Sequence, residues 1–149
     1  MAVIVDIIKT NAWKRPVYFS LGSHPAWRKG LENYLQVSGT AHRLLPVETG
    51  ESVPSLDVEK TEEILLDLRN FQNVEDVTTK DYSRIANMLG NYRPAFMQLL
   101  QHYQKTGDVG KAKVVLETMK KALPEHVVPM KSGLLRWIEH LERELSKDK

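Results

Sequence analysis

The stretch RPAFMQLLQHYQKTGDVGKAKVVLETMKKALP, residues 93–124, decides how the chain is read. Phe96, Leu99, Leu100 and Tyr103 recur at three- and four-residue steps, and so do Ala112, Val115, Leu116, Met119 and Leu123. That spacing puts each set on one face of a helix. Between them, Gly107 can adopt the left-handed conformation that ends a helix. Asp108 can cap the free N–H groups of the next one. A connection this short makes the helices antiparallel, so their apolar stripes meet each other or a shared neighbour.

Phe96, Leu99, Tyr103, the Gly107-Asp108 turn, Ala112, Leu116 and Pro124 together resemble a tetratricopeptide repeat. That is a helix pair used mainly to bind other proteins. Leu100 stands where the repeat prefers glycine and Met119 where it prefers alanine, which implies wider helix packing.

Upstream of this hairpin, the apolar positions Ile85, Leu89, Tyr92, Phe96, Leu99 and Tyr103 keep one phase across Gly90 and Pro94. The unbroken phase predicts one long helix from Lys80, kinked near Pro94. Downstream, Pro124 and Pro129 bracket a loop. Ser132 is placed to cap a last helix carrying Leu134, Leu135, Ile138, Leu141 and Leu145, with Trp137 near that stripe.

The N-terminal part reads differently. Residues 2–10 fit a short helix with Val3, Ile4, Ile7 and Ile8 on one side; a buried strand is the alternative, given the β-branched residues. Pro16 followed by Val17-Tyr18-Phe19-Ser20 predicts a strand. Residues 26–38 read as a helix with Trp27, Leu31, Tyr34 and Leu35 inward, ended by Gly39, and residues 40–47 as a second strand. The order implies a right-handed βαβ unit with parallel strands; a hairpin across residues 34–45 is the alternative. Residues 48–55 carry turn formers and form the best boundary. Asp57 is placed to cap a helix that brings Ile64, Leu65, Leu68 and Phe71 inward, and residues 73–79 read as a polar connector. The expected fold is α+β, mostly α, with a small α/β part over 1–50 and a helical part over 51–149, the two forming one compact unit.

Composition narrows the function. The chain has 149 residues, is 42% hydrophobic and 27% charged, and carries a net charge of +2. These values suit a globular chain, and the charge is too small to imply nucleic acid or an anionic membrane as partner. Without cysteine there are no disulfides, thiolate metal sites or cysteine nucleophiles. The apolar start, AVIVDII, is short and interrupted by Asp6, so neither a signal peptide nor a membrane span is expected, and the chain as given reads as soluble. No glycine-rich phosphate loop is present. His24, His42, His102, His126 and His140 show no metal-ligand spacing. Ser23 lacks the flanking glycines of a nucleophile elbow. Glu62, Glu63, Glu139, Glu142 and Glu144 read as solvated helix faces. No catalytic residue, metal or cofactor is expected.

The grouping that stands out is basic and aromatic. Lys14, Arg15, Arg28, Lys29 and Arg43, flanked by Trp13 and Trp27, all fall in the first part. Convergence in one pocket would suit a phosphate-bearing ligand and a stand-alone binding protein or small enzyme. Solubilising charges, pairs with acids such as Glu32, and tryptophans anchoring a small sheet are the plainer use of the same residues.

A resemblance rests on Asp6-Ile7-Ile8, Thr10-Asn11, Trp13, Arg15-Pro16 and Tyr18-Phe19, then Leu31-Glu32, Tyr34, Gly39 and Arg43-Leu44. These residues resemble the C-terminal extramembrane region of a family of multi-spanning bacterial membrane proteins of unknown function, similar to protein O-mannosyltransferases. The resemblance is strongest before Pro46 and looser through the helical part, where Pro94 departs from the pattern. It implies a non-catalytic accessory or interaction module of a glycosyltransferase-like membrane protein, on the extracytoplasmic (periplasmic) face, cut from or encoded apart from the parent. The implied partners are the parent's own membrane-spanning region and an acceptor polypeptide. In such enzymes the catalytic acid lies near the first membrane spans, so none is carried over to this chain.

Overall fold

The computed structural model describes residues 2–50, 54–74, 76 and 82–147. The fold is α+β and mostly α, and the chain divides into two compact units, Met1–Ile64 and Leu65–Lys149.

The first unit is a four-stranded sheet with helix α1 (Ala2–Asn11) on one face. Strands β1 (Val17–Ser20), β2 (Leu35–Ser38), β3 (Ala41–Leu44) and β4 (Ser55–Leu56) lie in the order β1-β3-β2-β4. β2 and β3 form a hairpin, β1 pairs antiparallel with β3, and β4 pairs parallel with β2. The βαβ expectation is therefore corrected to its alternative, the hairpin within 34–45. The expected helix over 26–38 is replaced by a 3-10 turn at Pro25–Trp27, another at Glu32–Tyr34, and then β2. Gly30 between them takes φ +82, which breaks any helix, and its N–H donates to the Glu32 carboxylate at 2.7 Å. Gly39, expected to end a helix, makes the tight turn of the hairpin at φ +62. The hairpin continues beyond the strands: Leu45 N–H donates to the Tyr34 carbonyl at 2.8 Å, and Thr49 N–H to the Asn33 carbonyl at 2.7 Å.

Alternation along the strands sorts the sheet into two faces. Val17, Phe19, Leu35, Val37, His42 and Leu44 share one face by register, and Tyr18, Gln36 and Arg43 the other. Phe19, Leu35 and Leu44 form the buried centre, with Ile4, Ile8, Val17, Leu31 and Tyr34 packed around it. Residues 2–11 are thus a helix, but only Ile4 and Ile8 of the expected stripe turn inward. Val3 is 72% exposed and Ile7 50%.

Asp57 caps α2 (Val58–Leu65) as expected, its Oδ1 accepting from Lys60 N–H at 3.1 Å. From α2, the buried Thr61 hydroxyl accepts from Gly39 N–H at 3.0 Å. Ile64 sits so close to Gly39 that an added Cβ would lie 2.4 Å from its Cδ1. Hairpin turn and helix are locked by contacts that only glycine permits.

The second unit is helical. Leu68–Phe71 is a 3-10 turn capped by Asp67, so α2 does not extend to Phe71, and Leu68 stays exposed while Phe71 is buried. The expected connector over 73–79 falls mostly outside the described residues. The single kinked helix is corrected to two, α3 (Tyr82–Gly90) and α4 (Arg93–Thr106). Asn91 N–H donates to Met88 and Tyr92 N–H to Leu89, three residues back, which tightens and ends α3. Gly90 is a poor helix former. Pro94 lacks an N–H, so it is better placed in the first turn of a new helix than inside an old one. The two-residue break preserves the apolar phase, which is why periodicity alone reads straight through it.

α4 and α5 (Val109–Ala122) form the expected hairpin. Gly107 is left-handed at φ +74, and the Asp108 carboxylate accepts from Lys111 N–H at 2.9 Å. Phe96, Leu99, Leu100, Tyr103, Ala112, Val115, Leu116, Met119 and Leu123 are all buried. The Phe71 ring packs against Phe96, centroids 5.8 Å apart, and edge-on against Tyr92 at 6.1 Å. α6 (Ser132–Lys147) buries Ile138, Leu141 and Leu145, with Leu134, Leu135 and Trp137 half-buried. Ser132 is its first helical residue, and the Lys131 carbonyl accepts its first hydrogen bonds.

Candidate functional site

The basic and aromatic residues of the first unit do not form one pocket. Arg28 follows the Pro25–Trp27 turn and reaches the face of the sheet that carries His42, its Nη1 2.9 Å from the His42 Nδ1. Arg43, the next residue along β3, lies on the opposite face, beside Tyr18 and Gln36 in the register. Lys29 and Trp27 are exposed, Trp27 by 62%. Lys14, Arg15 and Trp13 sit in the turn that follows α1, and all three are exposed. Trp13 and Trp27 therefore do not serve as inward anchors of the sheet. With Arg28 and Arg43 separated by the sheet itself, the geometric basis for a shared phosphate pocket is missing.

Arg28 and His42 make a local polar cluster. Burial and the neighbouring guanidinium push the His42 pKa down to about 4. At neutral pH the imidazole is uncharged and accepts from Arg28. Arg28 Nη2 also approaches the Ser23 carbonyl at 3.5 Å, while Ser23 Oγ and Arg28 Nε are buried without a partner. His42 is 9% exposed, and its periodicity along β3 marks it only as an inward-facing residue. Its pairing with Arg28, fourteen residues away, leaves no signature in local sequence.

The turn holding Trp13 is built rather than loose. Ala12 and Trp13 take φ +46 and +60, left-handed values unusual for residues with a Cβ. Asn11 clamps both: its Nδ2 donates to the Arg15 carbonyl at 2.6 Å, and its Oδ1 accepts from Arg15 N–H at 3.2 Å. Lys14 N–H donates to the Asn11 carbonyl at 2.9 Å. Sequence reading named Asn11 only among the residues of the family resemblance and did not assign it this positioning role.

In the second unit a concavity lies between α5 and α6, with a volume of about 400 Å³. Met119, Leu123, Leu135 and Ile138 supply its apolar wall, and Glu139 and Glu142 line its polar side. Lys120 pairs with Glu142 across the two helices. Arg93, at the start of α4, is 5% exposed and donates to the carbonyls of Leu123 at 3.1 Å, Pro129 at 3.0 Å and Val128. Burial lowers its pKa, and Glu125 partly offsets that. With three carbonyls to bond, Arg93 ties the head of α4 to the segment that leaves α5. That role is structural, and no reading of the sequence assigned it.

Glu139 and Glu142 lie on the outer surface of α6, where Glu142 pairs with Lys120. Among the described residues no group of three or more His, Cys, Asp or Glu side chains could hold a metal ion. Each unit carries its own surface feature: an apolar trough with a charged lip in the second, and a clamped tryptophan beside cations in the first.

No curated protein and no solved structure matches the chain. Residues 1–64 match the family model described as TMEM260-associated domain 2, and that span ends at Ile64, where the first compact unit ends. The first unit is therefore similar to an accessory domain of TMEM260-like membrane proteins, consistent with a domain of a larger membrane protein.

Proposed function

We propose that the chain is a non-catalytic accessory and protein-interaction module of a TMEM260-like membrane protein, working outside the bilayer on its extracytoplasmic side. The observation that carries this reading is the coincidence of the matched span with a compact unit that has its own core. Among the described residues, no helix is long and apolar enough to cross a membrane, which suits an extramembrane role. The α4–α5 hairpin resembles a tetratricopeptide repeat. The α5–α6 trough is the kind of concave helical surface that receives polypeptide segments. The partners in this reading are the parent's membrane-spanning region and an acceptor polypeptide, and the parent is a glycosyltransferase similar to protein O-mannosyltransferases. Nucleic acid, metal and cofactor have no place in it.

The test uses the membrane protein that carries this module. Removing the module is expected to lower transfer to a polypeptide acceptor while the membrane part stays folded. The purified chain is expected to recapture the membrane part, and a Leu135→Glu variant in the trough to lose the acceptor. Undiminished transfer, together with no recapture, overturns the reading.

A further inference from the structure

Exposed large hydrophobic side chains are unevenly distributed. Among the described residues, Val3, Val5, Ile7, Trp13, Tyr18, Trp27 and Val47 are exposed in the first unit, against Leu68, Met88 and Val114 in the longer second one. Four of the seven, Val3, Val5, Ile7 and Trp13, lie on α1 and the turn that follows it. Val3 and Ile7 are one helical turn apart on a flank of α1 that the sheet does not cover, since Ile4 and Ile8 take the inward positions. Trp13 follows, 43% exposed, in a left-handed backbone that Asn11 holds in place. Two consecutive non-glycine residues at positive φ cost energy, and surrounding hydrogen bonds must maintain them. Here the clamp keeps an indole in water.

The charge beside this patch is mostly basic, with Asp6 the one exposed acid on α1. Lys14 and Arg15 follow Trp13 and are exposed, and Lys9 is exposed near the end of α1, none with an acid partner among the described residues. Over residues 1–47 there are six basic side chains (Lys9, Lys14, Arg15, Arg28, Lys29, Arg43) and two acidic ones (Asp6, Glu32). The excess of four exceeds the +2 of the whole chain. The basic excess is local to this start of the chain, since the first unit as a whole, residues 1–64, carries seven basic and eight acidic side chains.

Aliphatic side chains, an indole and adjacent cations on one short segment match the boundary between lipid headgroups and acyl chains. We propose that the outer flank of α1 and the Asn11-clamped turn form a peripheral docking surface for an anionic bilayer. Trp13 and Ile7 enter the interface, and Lys14 and Arg15 meet lipid phosphates. This rests on the reading of the chain as a membrane-protein module and adds the surface that faces the lipid. The segment lies on the interface and does not span it. The ten residues of α1 are too few to cross a hydrocarbon core.

The experiment is sedimentation of the full chain with phosphatidylcholine vesicles, alone or with about one third phosphatidylglycerol, an anionic fraction that attracts basic segments. Binding is expected only to the anionic vesicles and is expected to fall with added salt. Ile7→Glu and Trp13→Ala should each weaken it at least tenfold with an unchanged circular dichroism spectrum, since both positions are exposed. Lys14→Gln should weaken it by about fivefold, the weight of one cation at such a surface. Asn11→Ala should weaken it with every contacting side chain still present. Vesicles carrying brominated acyl chains should quench the indole emission of the natural chain more than that of Trp13→Phe. No preference for anionic vesicles, or binding indifferent to Ile7→Glu and Trp13→Ala, overturns the proposal. So does self-association through this face or capture of the membrane-spanning region by it in detergent without lipid. Failure here with recapture of the membrane part through another surface leaves the functional reading standing. Vesicle binding with neither recapture nor loss of transfer does the reverse.

Discussion

The α4–α5 hairpin and the N-terminal sheet solve the same problem in opposite ways. The hairpin closes its own apolar surface: both stripes are buried, the turn is capped, and a single arginine fastens its open end. The sheet hides Phe19, Leu35 and Leu44 beneath α1, yet buries a histidine beside an arginine and leaves aromatic and aliphatic side chains in water. A self-sufficient core marks a scaffold. A core with polar members and uncovered apolar flanks leaves apolar surface for docking, in addition to the α5–α6 trough that the scaffold itself carries.

That contrast can be broken at several points, and Arg93 should give the largest effect. Arg93→Ala leaves three inward carbonyls without a donor and is expected to cost about 3–5 kcal/mol, as removal of one partner from a buried charged network does. Urea unfolding of the second unit, followed through Trp137, measures it. A cost under about 1 kcal/mol would mean that the hairpin is not fastened there.

His42 comes next and concerns the first unit alone. Its folded pKa of about 4 lies below the ordinary histidine value of 6.5. Between these values the unfolded chain takes up a proton that the folded one refuses. Stability is therefore full above pH 6.5 and is lost as pH falls toward 4, by about 3 kcal/mol at most. Unfolding followed through Trp13 and Trp27 should show this slope, and His42→Gln should flatten it. A slope unchanged in His42→Gln would remove His42 from the account.

Gly39→Ala is expected to cost about 2–3 kcal/mol, combining a left-handed alanine with overpacking against Ile64. It should loosen the junction of hairpin and α2 and leave the helical unit untouched. The smallest effect sharpens the other side: Asp108→Ala removes one helix cap, worth about 1 kcal/mol. It should lower the stability of the second unit without changing hydrogen exchange in the sheet.

The two regions also differ in how far local sequence reveals them. α4, α5, their turn and α6 rest on contacts three or four residues apart, so the spacing of Phe96, Leu99 and Tyr103 was enough. The hairpin across 34–45 depends on cross-strand pairs such as Val37 with His42. Its strands are only four residues long, too short to display alternation clearly against the helical spacing of Leu31, Tyr34 and Leu35. Gly30 was the available signal, since a left-handed glycine cannot sit inside a helix over 26–38 without cost. The break before Pro94 was legible in the Gly90 and Pro94 pair but was masked by a phase that survives it. The basic residues were visible, but which face each takes was not, because Arg28 leaves an irregular segment whose direction follows from tertiary packing. The structural roles of Asn11 and Arg93 were missed for one reason: each acts on backbone groups, which have no letter in a sequence.

The two-residue strand β4 has a practical consequence. Ser55 and Leu56 pair with Gln36 and Val37, and Asp57 N–H donates to the Val37 carbonyl at 2.8 Å. Were the chain cut before Ser55, the outer edge of β2 would offer its bare amides and carbonyls to any extended strand, including that of a second molecule. A truncated version ending near residue 50 should therefore clump or form dimers, whereas one ending beyond α2 should stay dispersed.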